Sequence, residues 1–122
     1  MSVGIWILVG VCGGTGAIGR FVVDGLVGER AASGEVPWGT LVVNLSGAAV
    51  LGVLAGAAVT GDALVLAGTA TIGSYTTLST WMLESHRLGQ DNQLAMAGAN
   101  LIGSLLVGFA AVAAGHAIGI AL

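Results

Sequence analysis

The chain has 122 residues, of which 56% are hydrophobic and 7% charged, with a mean hydropathy of +0.99. Average soluble domains carry roughly 25% charged residues, so the composition argues against a soluble domain. A formal charge of -3 without a single lysine also argues against a nucleic-acid partner and against a polybasic lipid-binding patch.

Charged residues divide the sequence into four uncharged runs, Met1 to Gly19, Pro37 to Gly61, Ala63 to Leu83 and Asn92 to Leu122, each 19 residues or longer. A helix needs about 20 residues to cross a bilayer. The sequence therefore predicts an all-α integral membrane protein, one domain over 1–122, with four transmembrane helices at roughly 3–27, 37–60, 63–85 and 92–120. Polar pieces around Gly28 to Val36, Thr60 to Asp62 and Ser85 to Gln93 connect them. No basic residue precedes the first apolar run, so a cleaved signal peptide is not expected. Cys12 stands alone, which excludes an internal disulfide. Arg30 and Arg87 place the first and third connections in the cytoplasm by the positive-inside rule, a weak bias compatible with insertion in either direction.

In the first span, GTGAIG at Gly14 to Gly19 matches the dinucleotide fingerprint G-x-G-x-x-G. A nucleotide-binding unit needs strands alternating with amphipathic helices, and only uniform apolar runs follow. These glycines instead read as a helix-packing surface, like the pairs Gly10 and Gly14, Gly52 and Gly56, and Gly115 and Gly119. So small a four-helix chain has little interior, which predicts an oligomer. Arg20 either pairs with Asp24, four residues on, or snorkels to the interface, or attracts anions at a vestibule.

The second span opens PWGTLVVNLSG, with Pro37 at a helix start and Trp38 at interfacial depth. Thr40 and Asn44 share a face. An asparagine facing lipid is costly, so Asn44 is expected to face protein or water, as interhelical glue or as a pore-lining donor.

The third span contains TIGSYTTLSTWMLE, residues 71–84, with seven hydroxyl side chains between Thr71 and Thr80. Gly73 and Ser74, followed by Tyr75 and paired threonines, predict a helix broken in mid-membrane. A break frees carbonyls, and irregular backbone at that depth is tolerated only inside protein or along a cavity. The hydroxyls of Thr76, Thr77, Ser79 and Thr80 can donate to an anion or bond back to their own helix.

The fourth span aligns Asn100, Ser104 and Gly108 on one face; His116 is expected near the interface, and His86, beside Glu84 and Arg87, in solvent. The spans thus hold neutral donors and almost no ionisable groups. No Ser-His-Asp set, metal-ligand cluster or carboxylate pair assembles at membrane depth, so no enzyme is expected. Neutral donors suit an anion that passes through, because conduction needs sites that also release.

The motifs GGTGAIGRF, PWGTLVVNLSG, GSYTTLSTWMLE and NLIGS, in this order over nearly the whole chain, resemble the Fluc or CrcB family of small fluoride channels. The resemblance implies passive fluoride export across a prokaryotic plasma membrane by two subunits inserted in opposite orientations. It further implies a structural, untransported sodium ion held by the backbone carbonyls of Gly73 and Thr76. Asn44, Ser79, Thr80 and Ser104 would line the pore, with Arg20 near a vestibule and Asn100 at the family's fourth-span asparagine. Leu78 and Trp81 depart from the pattern, standing where the family has phenylalanines whose ring edges can face the anion. Trp81 could offer a ring edge or its indole N–H, and Leu78 neither. The chain is therefore expected to pair with itself or with a related paralogue that keeps the phenylalanines. Two alternatives are a small four-span multidrug-type exporter, whose first-span glutamate is missing here, and a non-conducting scaffold subunit.

Overall fold

The computed structural model describes residues 1–30 and 36–122. Among these residues the chain is helical throughout and contains no strand. Helix α1 is Val3–Arg30, α2 is Trp38–Gly56, and α3 is a helical stretch over 61–75. Helix α4 is Ser79–Gln90 and α5 is Leu94–Ala121.

Helices α1, α2 and α5 are long and apolar enough to cross a membrane. They lie on the first, second and fourth predicted spans. Over 63–85 the helix is divided between α3 and α4, each shorter than the about 20 residues that a crossing requires. Most of the predicted first connection, at residues 31–35, falls outside the described residues.

Local chemistry sets the helix ends. The Pro37 carbonyl accepts the first bond of α2, from Leu41 N–H at 3.1 Å, as suits a residue that has no N–H to lose. Asn92, at φ 60°, turns the chain between α4 and α5, and asparagine tolerates this left-handed backbone. Helix α3 widens into π-helical geometry over Val65–Ile72, where the Thr71 hydroxyl donates to the Leu66 carbonyl at 2.8 Å. A second π-helical segment, Ala99–Gly103, lies in α5.

Helices α2 and α5 form the most extensive pairing, and glycine makes it possible. A Cβ at Gly52 or Gly56 would run into the Val112 or His116 carbonyl, and one at Gly115 or Gly119 into the Ala49 or Val53 carbonyl. These two predicted pairs pack against each other's helices. Gly10 and Gly14 meet nothing within 4 Å, whereas Gly16 is buried against the Thr71 carbonyl. Spacing reveals that a face can be approached closely but not which neighbour approaches it.

Little of the molecule is enclosed. Val43 is fully buried, while Phe21 is 80% and Phe109 67% exposed. Apolar surface on this scale suits lipid or another helix rather than water.

Candidate functional site

The site is built around the interruption between α3 and α4. Thr76 N–H still closes a helical turn onto the Ile72 carbonyl at 2.9 Å. The Thr76 backbone then extends, at φ -79° and ψ 162°, and helix resumes only at Ser79. Gly73 and Ser74, where sequence reasoning put the weak point, are helical. The helix yields three residues later because Asn44 competes for the backbone there.

The Asn44 side chain engages both backbone groups of Thr77. Its Nδ2 donates to the Thr77 carbonyl at 2.8 Å, and its Oδ1 accepts Thr77 N–H at 2.8 Å. That N–H would otherwise bond to the Gly73 carbonyl and continue the helix. Asn44 has one further Nδ2 hydrogen beyond these bonds.

Arg20 approaches from α1 and donates through Nη1 to the Thr76 carbonyl at 3.2 Å. It forms no ion pair with Asp24 among the described residues, although both line one cavity of about 330 Å³ with Thr40, Thr77 and Thr80. Gly47 lets α2 come close, since a Cβ there would strike the Thr76 methyl group. Beside it, the Ser46 and Tyr75 hydroxyls share a hydrogen bond of 2.9 Å.

The hydroxyls beyond the break bond locally. Thr77 Oγ1 donates to Thr80 Oγ1 at 3.1 Å, accepts Thr80 N–H at 3.3 Å and lies 3.4 Å from Ser79 Oγ. Ser79 is exposed and Thr80 half-buried. Leu78 is 67% exposed and lines an open cavity of about 660 Å³ with Asn44, Gly73, Thr76, Thr77 and Trp81.

Asn100 and Ser104 meet Trp81 across a smaller cavity of about 40 Å³. The Trp81 indole N–H donates to the Asn100 carbonyl at 3.0 Å. Asn100 Nδ2 donates to Ser85 Oγ at 2.8 Å, and Ser85 in turn donates to the Trp81 carbonyl at 2.8 Å. Ser104 Oγ lies 3.4 Å from Asn100 Oδ1. In this arrangement the indole N–H already has an acceptor within the protein.

Three participants escaped sequence reasoning. Ser85 carries the link between Trp81 and Asn100, and Tyr75 reaches Ser46. Glu84 accepts a 2.7 Å hydrogen bond from Thr40, while its Oε2 is buried with no hydrogen-bond partner among the described residues. A signal existed for two of them: Ser85 and Glu84 lie four and three residues beyond Trp81, on the same side of α4. Among the described residues no group of three His, Cys, Asp or Glu could hold a metal.

A family profile described as CrcB-like protein, Camphor Resistance (CrcB), matches residues 7–116. The chain is 54% identical over 115 residues to "Fluoride-specific ion channel FluC 2" of Mycolicibacterium paratuberculosis, covering 94% of this chain and 93% of the relative. It is 51% identical over 116 residues to the Mycobacterium tuberculosis protein of the same name, covering 95% and 91%. "Fluoride-specific ion channel FluC" of Opitutus terrae is 36% identical over 133 residues, covering 100% of this chain and 96% of the relative.

Proposed function

The chain belongs to the CrcB-like family, and from that premise we propose that it is a subunit of a fluoride-selective passive channel that exports fluoride and so relieves its toxicity. It works in a prokaryotic plasma membrane, crossing it four times with the α3–α4 pair as the broken third span. The observation that carries this reading is the interruption at Thr76–Leu78, held by Asn44 and Arg20 and opening onto a mostly apolar cavity whose wall includes Asn44, Thr76 and Thr77.

The chemistry follows from those donors. Asn44 keeps one amide hydrogen free of Thr77, and the hydroxyls of Ser79, Thr80 and Ser104 can each turn a hydrogen toward an anion. Such groups replace part of a fluoride ion's hydration without the fixed charge that would trap it. Arg20 supplies positive charge at the cavity it shares with Thr80, offset there by Asp24 in the same wall.

Gly73 and Thr76 suit a structural sodium ion through their backbone oxygens. Asn44 takes the N–H that would have satisfied Gly73, and the Thr76 carbonyl keeps a second lone pair beside its bond to Arg20. Two oxygens are few for a hard cation, which favours a second, oppositely inserted subunit that contributes its own pair. The ion would tie the two breaks together without being transported.

A second reading has its own support. Trp81 spends its N–H on Asn100, and Leu78 has no polar edge, so this chain lacks two anion contacts that a paralogous partner could supply. Fluoride efflux from liposomes containing the purified chain, alone and coexpressed with a paralogue, tests both. Equal efflux eliminates the obligate pair. Efflux from the mixture alone supports it, and none from either sinks the channel. A purely structural subunit would keep the mixture's flux unchanged on Ser104→Ala, which removes a candidate anion donor at the cost of only a 3.4 Å contact with Asn100.

A further inference from the structure

The two cavities beside the break share two wall residues, Asn44 and Trp81. One cavity, of about 660 Å³, reaches Thr77 and Leu78; the other, of about 40 Å³, reaches Asn100 and Ser104. These two side chains form the wall common to both cavities. Their anchorage differs. Asn44 is fixed by two hydrogen bonds of 2.8 Å to the backbone of Thr77, itself buried. The Trp81 side chain has a single polar anchor, its 3.0 Å bond to the Asn100 carbonyl. The acceptor is held in place, because Asn100 Nδ2 is bonded to Ser85 Oγ, and Ser85 is bonded to the Trp81 carbonyl.

We infer that Trp81 is a latched gate between the Thr77–Leu78 cavity and the Asn100–Ser104 cavity, closed by the indole hydrogen bond to Asn100. The inference rests on the fluoride-channel reading and adds to it a residue that limits the rate of passage. Tryptophan suits the role because it joins a large apolar plate to one donor. The plate separates the compartments, and the donor sets how often it swings away. Half-burial of Trp81 beside the larger cavity leaves the ring space to move into.

Two replacements separate the latch from the bulk of the ring. Benzothienylalanine at position 81, introduced by nonsense suppression, keeps the bicyclic shape and removes the N–H. Trp81→Phe removes the N–H and also shrinks the ring. Each protein is reconstituted in liposomes, alone and with a paralogue, after size-exclusion chromatography confirms assembly. Both variants should raise fluoride efflux by about fivefold, the factor carried by one neutral hydrogen bond. If only Trp81→Phe raises it, ring size rather than the bond closes the passage, and the latch is overturned. Measurable wild-type efflux that neither variant increases overturns the gate and leaves the channel reading standing. Absence of efflux from wild type and both variants, with or without the paralogue, overturns the channel reading together with the gate.

Discussion

Asn44 on α2 bonds to both backbone groups of Thr77, donating to its carbonyl and accepting its N–H, each at 2.8 Å. One neutral side chain thereby stands in for the helical partners that Thr77 lacks. Asn44→Leu would leave a buried N–H and a buried carbonyl unsatisfied, at about 1–3 kcal/mol each. Thermal unfolding in detergent should show a loss of several kcal/mol together with suppressed fluoride efflux. Suppressed efflux with an unchanged unfolding midpoint would mean that Asn44 acts on the ion alone and does not brace the break.

How much of this was legible in the sequence depends on which atoms carried the signal. Uncharged runs marked four spans, because length and apolarity are properties of composition, and three of the four are single helices of membrane length. Asn44 was conspicuous because an amide in a hydrophobic run needs a partner. Its partner was not, since Thr77 offers its backbone, and backbone groups look alike at every position. The same reason displaced the weak point of the helix. Glycine at position 73 looked like the breaker, but competition from an amide on another helix placed the interruption at Thr76–Leu78. Trp81 was read as an ion contact because it stands where the resembled family has a phenylalanine, and the Asn100 carbonyl that accepts its N–H was not visible in the sequence.

The glycine contacts between α2 and α5 give a test independent of ion flow. Gly115→Ala would place a methyl group against the Ala49 carbonyl, and Gly52→Ala one against the Val112 carbonyl. Each contact is with backbone that cannot rotate away, so each variant should lose about 1–3 kcal/mol. Gly14→Ala, with nothing within 4 Å, should unfold like wild type within about 0.5 kcal/mol. A destabilised Gly14→Ala that also elutes as a monomer would identify that face of α1 as the contact with a second subunit.

Among the described residues the Thr40 hydroxyl is the one hydrogen-bond partner of the Glu84 carboxylate, at 2.7 Å, while Oε2 has none. Thr40→Val keeps the shape and removes the donor. Glu84 as a whole is half-buried, which reduces the penalty although Oε2 itself is enclosed, so a loss of about 1–2 kcal/mol is expected by thermal unfolding. The double variant Thr40→Val, Glu84→Gln should recover part of that loss, because a neutral amide needs less solvation than a carboxylate. No recovery would indicate that Thr40 stabilises through packing on α1 and α2 rather than through Glu84.

Sodium dependence follows from the carbonyls at the break. If Gly73 and Thr76 hold sodium between two subunits, the ion binds only the assembled state and stabilises it by mass action. Within the range above the dissociation constant, each tenfold dilution of sodium should cost about 1.4 kcal/mol of assembly. Replacing sodium by N-methyl-D-glucamine, too bulky for a backbone site, should therefore lower the unfolding midpoint and reduce fluoride efflux together. Arg20→Gln sharpens the measurement. It removes a cationic neighbour from the Thr76 carbonyl, so sodium should bind more tightly and the dependence should move to lower concentration. Midpoints and fluxes that ignore sodium in both proteins would leave those carbonyls without a cation and return the break to support from Asn44 and Arg20 alone.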